Sequence, residues 1–423
     1  MGGSASIDGG TMVCTYSNGS VGIKARYLVQ LEAHMGLPAK RPIVTIEDEQ
    51  CMMAVWAAVV RGTSAFCPRD HITPTKFFYT TFYSLLFAAK PSIRRLFRSS
   101  MTLQGRVLTA LIGALATATR TDHSTFNIQQ LALHHAKYGA TNDDYVVLGN
   151  TLLQTLFVVS GTDWSTDAHN AFLNAYCLYY YIMLPVILQA SPRPIKSSLC
   201  ANVVATEAIA CDITRIVLFV NHPLRYHPGD AVLLQLAIPD AEGDGIRRAF
   251  PLTSICENTN GKIEICVQRR DKVSNWLCDR RQEDVVHVCW ITSGIHLETD
   301  TPEFIAPKLL FVSQGVDGAP FVAMTKGLYA VQDKYPGDIV WLQIADEPIA
   351  YFCELEWHRC RVVAEAQITK QRLQAVAPDI SERHMFVSGS AAFIESVCDL
   401  FLDAGGTQCT VYSFEDIPTS DDI

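Results

Sequence analysis

Apolar side chains recur every three or four positions from about residue 45 to residue 185, a spacing that predicts α-helices with one buried face. The first helix has a clear start, because Thr45 can cap it and acidic residues follow at positions 47, 48 and 49. The helical pattern is interrupted at Cys67 to Pro74, at Pro91 and at Thr119 to Ser124. We therefore predict an all-α domain over residues 43–190, preceded by a flexible extension over residues 1–42.

From about residue 194 the pattern changes to short β-type runs separated by turn-rich stretches such as HPGD and ENTNGK. These runs predict strands at Asn202 to Thr206, Thr214 to Phe219, Ala231 to Leu236, Ile263 to Gln268 and Val285 to Trp290. Short strands with frequent turns indicate a small antiparallel β-barrel, which we place at residues 194–303.

The last part of the chain alternates strand-like stretches, KLLFVSQG and IVWLQIA, with helical patterns, and HMFVSG leads directly into AAFIESVCDLFLDAG. A repeated order of strand, glycine turn and helix is typical of an α/β domain with a parallel sheet. We assign this domain to residues 304–423. The chain is thus predicted to be multidomain, with an all-α domain followed by a barrel and an α/β domain.

Composition is consistent with several well-packed domains, because 49% of the 423 residues are apolar and only 18% are charged. The net charge of -9 excludes the basic surface that nucleic-acid binding needs, so no nucleic-acid partner is expected. The 14 cysteines are scattered without CxxC pairs, which favours a reducing, cytoplasmic setting over a secreted disulfide scaffold.

Two features bear on membrane attachment. The apolar run from Ala171 to Ala190 is about long enough to cross a bilayer, but its polar residues and the lack of a basic flank favour a buried helix. The start MGGSAS fits the pattern for myristoylation of Gly2, with Cys14 as a second acylation site. A flexible Gly/Ser tail explains the same residues, so attachment through an acylated amino terminus stays an alternative.

Adjacent histidines occur in the helix-like stretch LALHHAKYGATNDDY, which begins at Leu131. A histidine on the apolar face of a helix is more often a hydrogen-bonded core residue than a ligand. His134 and His135 point about 100° apart around a helix, so only one of them can face a given site. The residues of this stretch alone leave a structural histidine and an iron ligand as alternatives.

Three stretches together resemble the globin module of the flavohemoglobins: FYSLLFAAKPSIRRLF from Phe82, MTLQGRVLTAL from Met101, and LALHHAKYGATNDDY. The family places its iron-binding histidine in the context LAxxHxxYG, so the resemblance implies that His135 binds the iron of haem b. It further implies catalytic roles for Tyr83 and Gln104, as hydrogen-bond donors to oxygen, and for Tyr145 near the proximal side. Phe97 is implied to pack on the haem, and Leu108 to be the apolar distal residue.

The chain departs from the family pattern on the last globin helix, where family members usually carry a glutamate that polarises the histidine N–H. Met183 stands at that place, and no acid occurs between Ala168 and Pro192. A histidine without this partner donates less electron density to iron. We therefore expect weaker activation of the O–O bond than in the family.

The following part resembles the ferredoxin-reductase-type FAD domain of the same family, through LRYHPGDAVLLQL, which contains Tyr226, and RAFPLTS, which begins at Arg248. The resemblance implies that Arg248 pairs with the FAD pyrophosphate and that Phe250 stacks on the flavin. Further flavin-site residues are implied at Tyr226, Thr253, Ser254, Val273 and Ser274, the last two at the start of a helix that faces the FAD phosphates. Pro251 departs from the pattern, since it replaces a serine and removes an N–H donor.

In the third domain, VSQGVDGAP takes the place of the family's G-x-G-x-x-P loop for NAD(P)H. Gly315 and Pro320 match this motif, while Asp317 stands where a second glycine is expected and its carboxylate would repel a pyrophosphate. VSGSAAF retains Gly389 of a second nucleotide-site motif. Phe414 matches the terminal aromatic residue that covers the flavin.

Taken together, the resemblance implies an NAD(P)H-dependent nitric oxide dioxygenase, which oxidises nitric oxide to nitrate with O2 as electrons pass from NAD(P)H to FAD and to haem. An alternative is an oxygen or nitric oxide binding or sensor protein whose reductase half no longer binds FAD or NAD(P)H. A third reading is a haem-linked reductase that delivers electrons to another acceptor. Flavin occupancy separates the first from the second, and nitrate formation separates the first from the third.

Overall fold

The computed structural model describes residues 12–29, 42–68, 73–120, 125–190, 196–238, 245–256, 261–345, 349–354 and 356–412. The chain forms two compact units. The first comprises residues up to Leu96 together with Gln104–Ile195, and the second comprises Phe97–Leu103 and the chain from Lys196 onwards. The protein is therefore multidomain, with a helical region followed by sheet domains, as the sequence predicts.

The first unit contains a set of long helices. They are α1 (Ile46–Arg61), α2 (Pro74–Ala89), α3 (Met101–Leu115), α4 (Thr125–Lys137), α5 (Asn142–Ser160) and α6 (Thr166–Gln189). Helix α3 begins in the segment that groups with the second unit. The predicted start of α1 is confirmed, since the Thr45 hydroxyl accepts the Asp48 N–H and the Asp48 carboxylate accepts the Thr45 N–H. Helix α6 packs against α1, α4 and α5, and its buried positions form the middle of this core.

The prediction that residues 1–42 form a flexible extension is wrong for the part that the structure describes. Strands β1 (Val13–Thr15) and β2 (Val21–Ile23) pair as an antiparallel hairpin, and β2 also pairs with β3 (Ile43–Val44). Met12 is 3% exposed and lies in an apolar cluster with residues of α4 to α6. Three-residue strands are too short to produce a periodic sequence signal, which explains the error. Gly2 lies outside the described residues, and Cys14 lies on β1 with its Sγ 3.6 Å from the Gly22 carbonyl oxygen.

Two stretches of the first unit are long and apolar enough to cross a membrane, Asn142–Asp163 and Thr166–Gln189. Core helices of globular domains have the same length and composition, and half or more of the residues in the most apolar window of each are buried inside the protein. Helix α6 packs against three other helices of its unit. The stretch from Ala171 to Ala190 therefore ends a buried core helix, in agreement with the sequence.

In the second unit, a six-stranded antiparallel sheet has the strand order β7-β6-β9-β4-β5-β8. Its strands are β4 (Leu199–Ala210), β5 (Ile213–Val220), β6 (Ala231–Leu236), β7 (Ile246–Pro251), β8 (Lys262–Gln268) and β9 (Val285–Thr292), and the helix α7 (Lys272–Cys278) follows β8. The five predicted strands are confirmed, while β7 was missed. An isolated bridge joins Leu252, just after β7, to Ile265 on β8, and closure into a barrel stays a prediction.

A five-stranded parallel sheet with the order β12-β11-β10-β13-β14 completes the second unit. Its strands are β10 (Lys308–Gln314), β11 (Asp338–Ile344), β12 (Cys360–Glu365), β13 (His384–Ser388) and β14 (Gln408–Tyr412), with helices α8 (Ala319–Ala330), α9 (Lys370–Val376) and α10 (Ala391–Asp403). The chain runs outward from β10 to β12 and then crosses to β13. This reversal makes a switch point between β10 and β13, where α/β proteins commonly bind ligands at the carboxyl ends of their strands.

One predicted boundary is wrong, because Phe97–Leu103 groups with the second unit although it lies inside the predicted helical domain. Arg98 is 5% exposed, and its guanidinium donates to the carbonyl oxygens of Lys196, Ser197 and Cys289. The Ser100 N–H donates to the Arg225 carbonyl oxygen at 2.8 Å. Tertiary hydrogen bonds of this kind leave no trace in hydrophobic periodicity.

Candidate functional site

The two adjacent histidines of α4 lie in different surroundings. His134 is exposed, and its ring packs edge-on against Tyr138 with centroids 4.9 Å apart. His135 is half-buried, and its Nδ1 atom lies 3.0 Å from the Tyr145 hydroxyl oxygen on α5. Burial lowers the pKa of His135, and the neighbouring His134 lowers it further. His135 therefore combines a fixed ring with a neutral imidazole, the form that binds a metal.

Tyr145 is held from several sides at the start of α5. Asp144 caps this helix by accepting the N–H and hydroxyl of Thr141, each at 2.8 Å, and its other oxygen pairs with the Lys90 ammonium at 2.6 Å. The Tyr176 hydroxyl donates to the Tyr145 carbonyl oxygen at 2.5 Å. Burial, and next the Asp144 charge, raise the pKa of the Tyr145 phenol. The tyrosine that fixes His135 is thus protonated and well positioned.

Met183 stands on α6 at the position where the family resemblance implies a glutamate in other members. It is 8% exposed and shares an apolar cluster with Tyr145, Tyr180 and Ala132. In α6 the acid of the first turn, Asp167, lies four turns before Met183. The side chain that polarises His135 is therefore a phenol and not a carboxylate.

The predicted distal residues lie on α2 and α3. Tyr83 is 7% exposed, its ring stacks on Phe87 at 5.8 Å, and burial raises the pKa of its phenol although Arg94 opposes the shift. Gln104 and the buried Leu108 lie one turn apart on α3. The Tyr79 ring on α2 packs directly against the backbone of α3 at Gly105, since a Cβ atom on Gly105 would lie 2.4 Å from that ring. Tyr79 lies one turn before Tyr83 on α2, and Gly105 directly follows Gln104 on α3.

The structure assigns Phe97 to the second unit, whereas Tyr83, Gln104 and Leu108 belong to the first. Its predicted packing on haem stays a prediction.

In the second unit, polar atoms of the predicted flavin-site residues already have partners within the protein. Arg248 on β7 pairs with Asp271, its Nη1 atom 2.5 Å from the carboxylate, and the two side chains are 39% and 42% exposed. Phe250 is 6% exposed and lies in the core of the antiparallel sheet. At the start of α7, the Ser274 hydroxyl accepts the N–H groups of Arg270 and Asp271, while Val273 packs against the sheet core.

The hydroxyls of Tyr226 and Ser254 lie 2.8 Å apart in the interior, and the Ser254 oxygen also accepts the Glu264 N–H. Thr253 is fully buried, and its N–H donates to the Glu264 carbonyl oxygen. Pro251 sits opposite Ala231 at the end of the β6–β7 ladder, a position that tolerates proline. The roles of these residues in binding flavin stay predictions.

A buried polar network next to Thr253 was missed by the sequence reading. The Lys326 ammonium on α8 donates to the Thr253 carbonyl oxygen at 3.2 Å and to the Tyr351 hydroxyl at 3.1 Å, and Tyr351 donates to Glu264. Arg215 pairs with Glu264 at 2.9 Å. Burial lowers the pKa of Lys326, partly offset by Glu264. These residues lie far apart in the sequence, on different strands and helices, so no short sequence motif contains them.

A cavity of about 520 Å³ opens at the switch point of the parallel sheet. Its lining comprises Gln268, Arg270, Gln314, Gly315, Asp317, Ile344, Ala345, Ala366, Gly389 and Ser390. The predicted residues Gly315 and Gly389 therefore meet in one site, and Pro320 lies close by as the second residue of α8. Gly315 has φ +52°, a conformation that favours glycine, while a Cβ atom on Gly389 would lie 2.5 Å from the Phe393 ring.

Asp317 lines this cavity and is largely buried. Its carboxylate lies 3.5 Å from Arg270 Nη1. Arg270 also donates to the Gln268 side chain at 2.7 Å. The negative charge that Asp317 brings to the glycine-rich turn is therefore balanced inside the cavity by a nearby cation. The predicted aromatic cover, Phe414, lies outside the described residues.

Among the described residues, no group of three or more His, Cys, Asp or Glu side chains could hold a bare metal ion. A single well-oriented imidazole nevertheless suffices for haem, because the porphyrin supplies four of the iron ligands. With Nδ1 of His135 directed at the Tyr145 hydroxyl, Nε2 is the ring nitrogen left to face a ligand. The donor set of the described residues thus fits haem iron and does not fit a metal ion bound by protein alone.

No protein-family model matches the chain. The chain is similar to a flavohemoprotein of Burkholderia sp. (strain TH2), with 24% identity over 264 residues, which cover 58% of this chain and 64% of that protein. It is also 25% identical over 219 residues to the glycine betaine monooxygenase reductase subunit of Pseudomonas aeruginosa (strain UCBPP-PA14), covering 46% of this chain and 57% of that protein. The matches thus span less than two thirds of the length of either relative.

Among solved structures, flavohemoglobin from Malassezia yamatoensis with bound FAD and heme aligns over 88% of this chain and 99% of its own, with a TM-score of 0.43 and 14% identity. The Amycolatopsis cytochrome P450 reductase GcoB aligns over 55% of this chain and 74% of its own, with a TM-score of 0.45 and 18% identity.

Proposed function

We propose that the chain is an NAD(P)H-dependent oxidoreductase of the flavohemoglobin type, and specifically that it oxidises nitric oxide to nitrate with O2. The observation that carries the proposal is the half-buried His135 with its Nδ1 atom on the Tyr145 hydroxyl. The similarity to a flavohemoprotein supports the same assignment. The chain forms two compact units, and in this proposal the helical unit holds haem and the sheet unit supplies electrons.

In this proposal His135 would bind haem iron through Nε2. The Tyr145 hydroxyl would fix the orientation of the ring by accepting a hydrogen bond from the Nδ1–H group. Haem supplies an iron centre that binds O2 and reacts with nitric oxide. Since Met183 and not an acid lies beside Tyr145, the imidazole stays neutral instead of gaining imidazolate character. A neutral imidazole donates less electron density to iron than an imidazolate does, which favours reversible O2 binding.

In this proposal Tyr83 and Gln104 would act as hydrogen-bond donors to an oxygen ligand of the haem. The raised pKa keeps the Tyr83 phenol protonated, so that it can donate a hydrogen bond to an oxygen that carries partial negative charge. The Tyr79 ring packs against Gly105, so α2 and α3 are in contact close to both residues. Leu108, one turn beyond Gln104, keeps water away from the same surface.

The second unit supplies the electrons in this proposal. FAD supplies the chemistry that converts a two-electron donor into single-electron transfers. Arg248 offers a half-exposed guanidinium suited to a pyrophosphate, and the cavity between Gly315 and Gly389 lies where α/β sheets bind nucleotides. These donors fit the phosphate-bearing parts of FAD and NAD(P)H.

The direct test is stoichiometry in solution. Full-length protein loaded with haem and FAD is given NADH or NADPH in aerobic buffer, and nitric oxide is added with an electrode in place. The proposal expects nitrate to form in a one-to-one ratio with the nitric oxide consumed, and His135→Ala to abolish this reaction. Oxidation of NAD(P)H without nitrate formation would instead indicate a reductase for another acceptor.

A second candidate is an oxygen or nitric oxide binding protein without flavin turnover. Two observations favour it: Phe250 is 6% exposed, so its ring is not available for stacking, and Arg248 is paired with Asp271. Flavin stoichiometry separates the two functions. One FAD per haem after purification supports the oxidoreductase, and haem without any affinity for FAD supports the binding protein.

A further inference from the structure

The Arg248 guanidinium is the group that the proposed function assigns to the flavin phosphates, and the chain provides an anion for it. Asp271 Oδ2 lies 2.5 Å from Arg248 Nη1. A carboxylate and a phosphate oxygen compete for the same planar fork of donors. Both side chains are more than a third exposed, so a dissolved ligand can reach the pair.

Asp271 is anchored and does not reach this position by chance rotation. It is the N-cap residue of α7, and its Oδ1 atom accepts the Ser274 N–H at 2.8 Å and the Ser274 hydroxyl at 2.9 Å. Partial burial raises the pKa of the Asp271 carboxyl, but the Ser274 N–H and Arg248 outweigh that effect and bring it below its ordinary value. The carboxylate is therefore ionised at neutral pH and remains close to Arg248 after a ligand has displaced it.

Displacement alone does not remove the influence of Asp271. An arriving pyrophosphate takes over the guanidinium, yet the carboxylate stays tied to the start of α7 and repels it at short range. The affinity for a phosphate-bearing flavin is thus reduced by the loss of one ion pair and by a lasting like-charge contact. A flavin without phosphate groups experiences neither effect.

We propose that Asp271 is an internal competitor of the flavin phosphates for Arg248, so that the second unit holds FAD as an exchangeable ligand. This inference rests on the proposed function, because it assumes that Arg248 binds FAD. It makes the flavin occupancy of the protein depend on the free FAD concentration. The electron-transfer half can then load and unload without any change in the globin half.

The test is equilibrium dialysis of the haem-loaded full chain against FAD and, separately, against riboflavin. Asp271→Asn is the main variant, because asparagine keeps the N-cap hydrogen bond while it removes the charge. Asp271→Ser is a second uncharged capping variant, in case the first does not fold. Asp279→Asn is the matched control, since it removes the same charge from the other end of α7, where Asp279 pairs with Arg269 at 2.8 Å.

The expected result is about tenfold tighter FAD binding in Asp271→Asn and Asp271→Ser, equivalent to about 1.4 kcal/mol. Riboflavin binding stays unchanged in these variants, and FAD binding stays unchanged in Asp279→Asn. Unchanged FAD affinity in both Asp271 variants, or equal tightening for riboflavin, overturns the inference while the flavin-dependent function stands. Absence of FAD binding in the wild type and in all variants overturns the inference together with the flavin part of the proposed function.

Discussion

The Nδ1 atom of His135 lies 3.0 Å from the hydroxyl oxygen of Tyr145, across the gap between α4 and α5. Ten residues separate the two side chains in sequence, and the turn that joins their helices is fixed by the cap of Thr141 and Asp144. The pair orients one imidazole nitrogen toward the protein and leaves the other for a ligand. The proposed function of the helical unit depends on this relationship.

Replacement of His135 separates the two adjacent histidines. We expect His135→Ala to weaken haem binding by at least about 100-fold, because the iron loses its protein ligand. His134→Ala is the matched control, and it keeps haem because His134 is exposed and packs on Tyr138. Titration of haem into each variant, followed by absorption at the Soret band, measures the difference. Equal loss in both variants would contradict the assignment.

Removal of the Tyr145 hydroxyl tests the positioning role of that residue. In Tyr145→Phe the ring volume is kept while His135 loses its hydrogen-bond partner, so we expect haem affinity to fall about 10- to 100-fold. A structural role alone would change the unfolding temperature and leave the iron–histidine stretching frequency unaltered. Resonance Raman spectra of the ferrous protein distinguish these cases, and Tyr138→Phe, beside His134, is the control.

The close approach of α2 and α3 gives a prediction about stability. Gly105→Ala places a Cβ atom 2.4 Å from the Tyr79 ring, and overpacking of this kind costs about 1–3 kcal/mol. Gly113→Ala on the same helix meets only Trp56 at 3.7 Å, and it should be neutral or stabilise by up to about 1 kcal/mol because alanine favours helix. Thermal unfolding of the two variants compares them directly. Equal stability would show that the contact at Tyr79 relaxes freely.

Sequence periodicity predicted much of this fold, because long amphipathic helices and apolar strands produce strong local signals. The start of α1 at Thr45 and the strands β10, β11 and β13 are confirmed within a residue or two. Strand β7 was missed, since IRRAFP ends in proline and has no alternation. The amino-terminal sheet was missed because its strands have only two or three residues.

The motifs located the candidate sites but not their electrostatics. Asp317 was expected to repel a pyrophosphate, and the structure adds that Arg270, from a different strand end, partly balances its charge. The partnership between Arg248 and Asp271 joins residues 23 positions apart. Such pairs are set by tertiary packing, so a single sequence cannot reveal them. The resemblance to the motif LAxxHxxYG, by contrast, is enough to favour His135 over His134.

Neutralising Asp317 tests the nucleotide cavity independently of flavin. In Asp317→Asn the Arg270 guanidinium is released from its ion pair, and the repulsion of a pyrophosphate disappears. We expect NADH or NADPH to bind about three- to tenfold more tightly. The effect is modest because the charge pair that is lost is partly exposed to solvent. Nucleotide fluorescence during titration reports the affinity, and Asp403→Asn at the exposed end of α10 is the charge-matched control. A gain in both variants would show a general effect of net charge.

The most direct test of the account is the absorption spectrum of full-length protein, purified from cells supplied with a haem precursor and riboflavin. The spectrum is recorded without oxygen before and after addition of NADH or NADPH, with excess FAD present. The account predicts a haem band with flavin absorption, and conversion of ferric to ferrous haem by the nucleotide. A haem band that the nucleotide leaves ferric would contradict electron transfer, and absence of any haem band would show that His135 is only a core histidine.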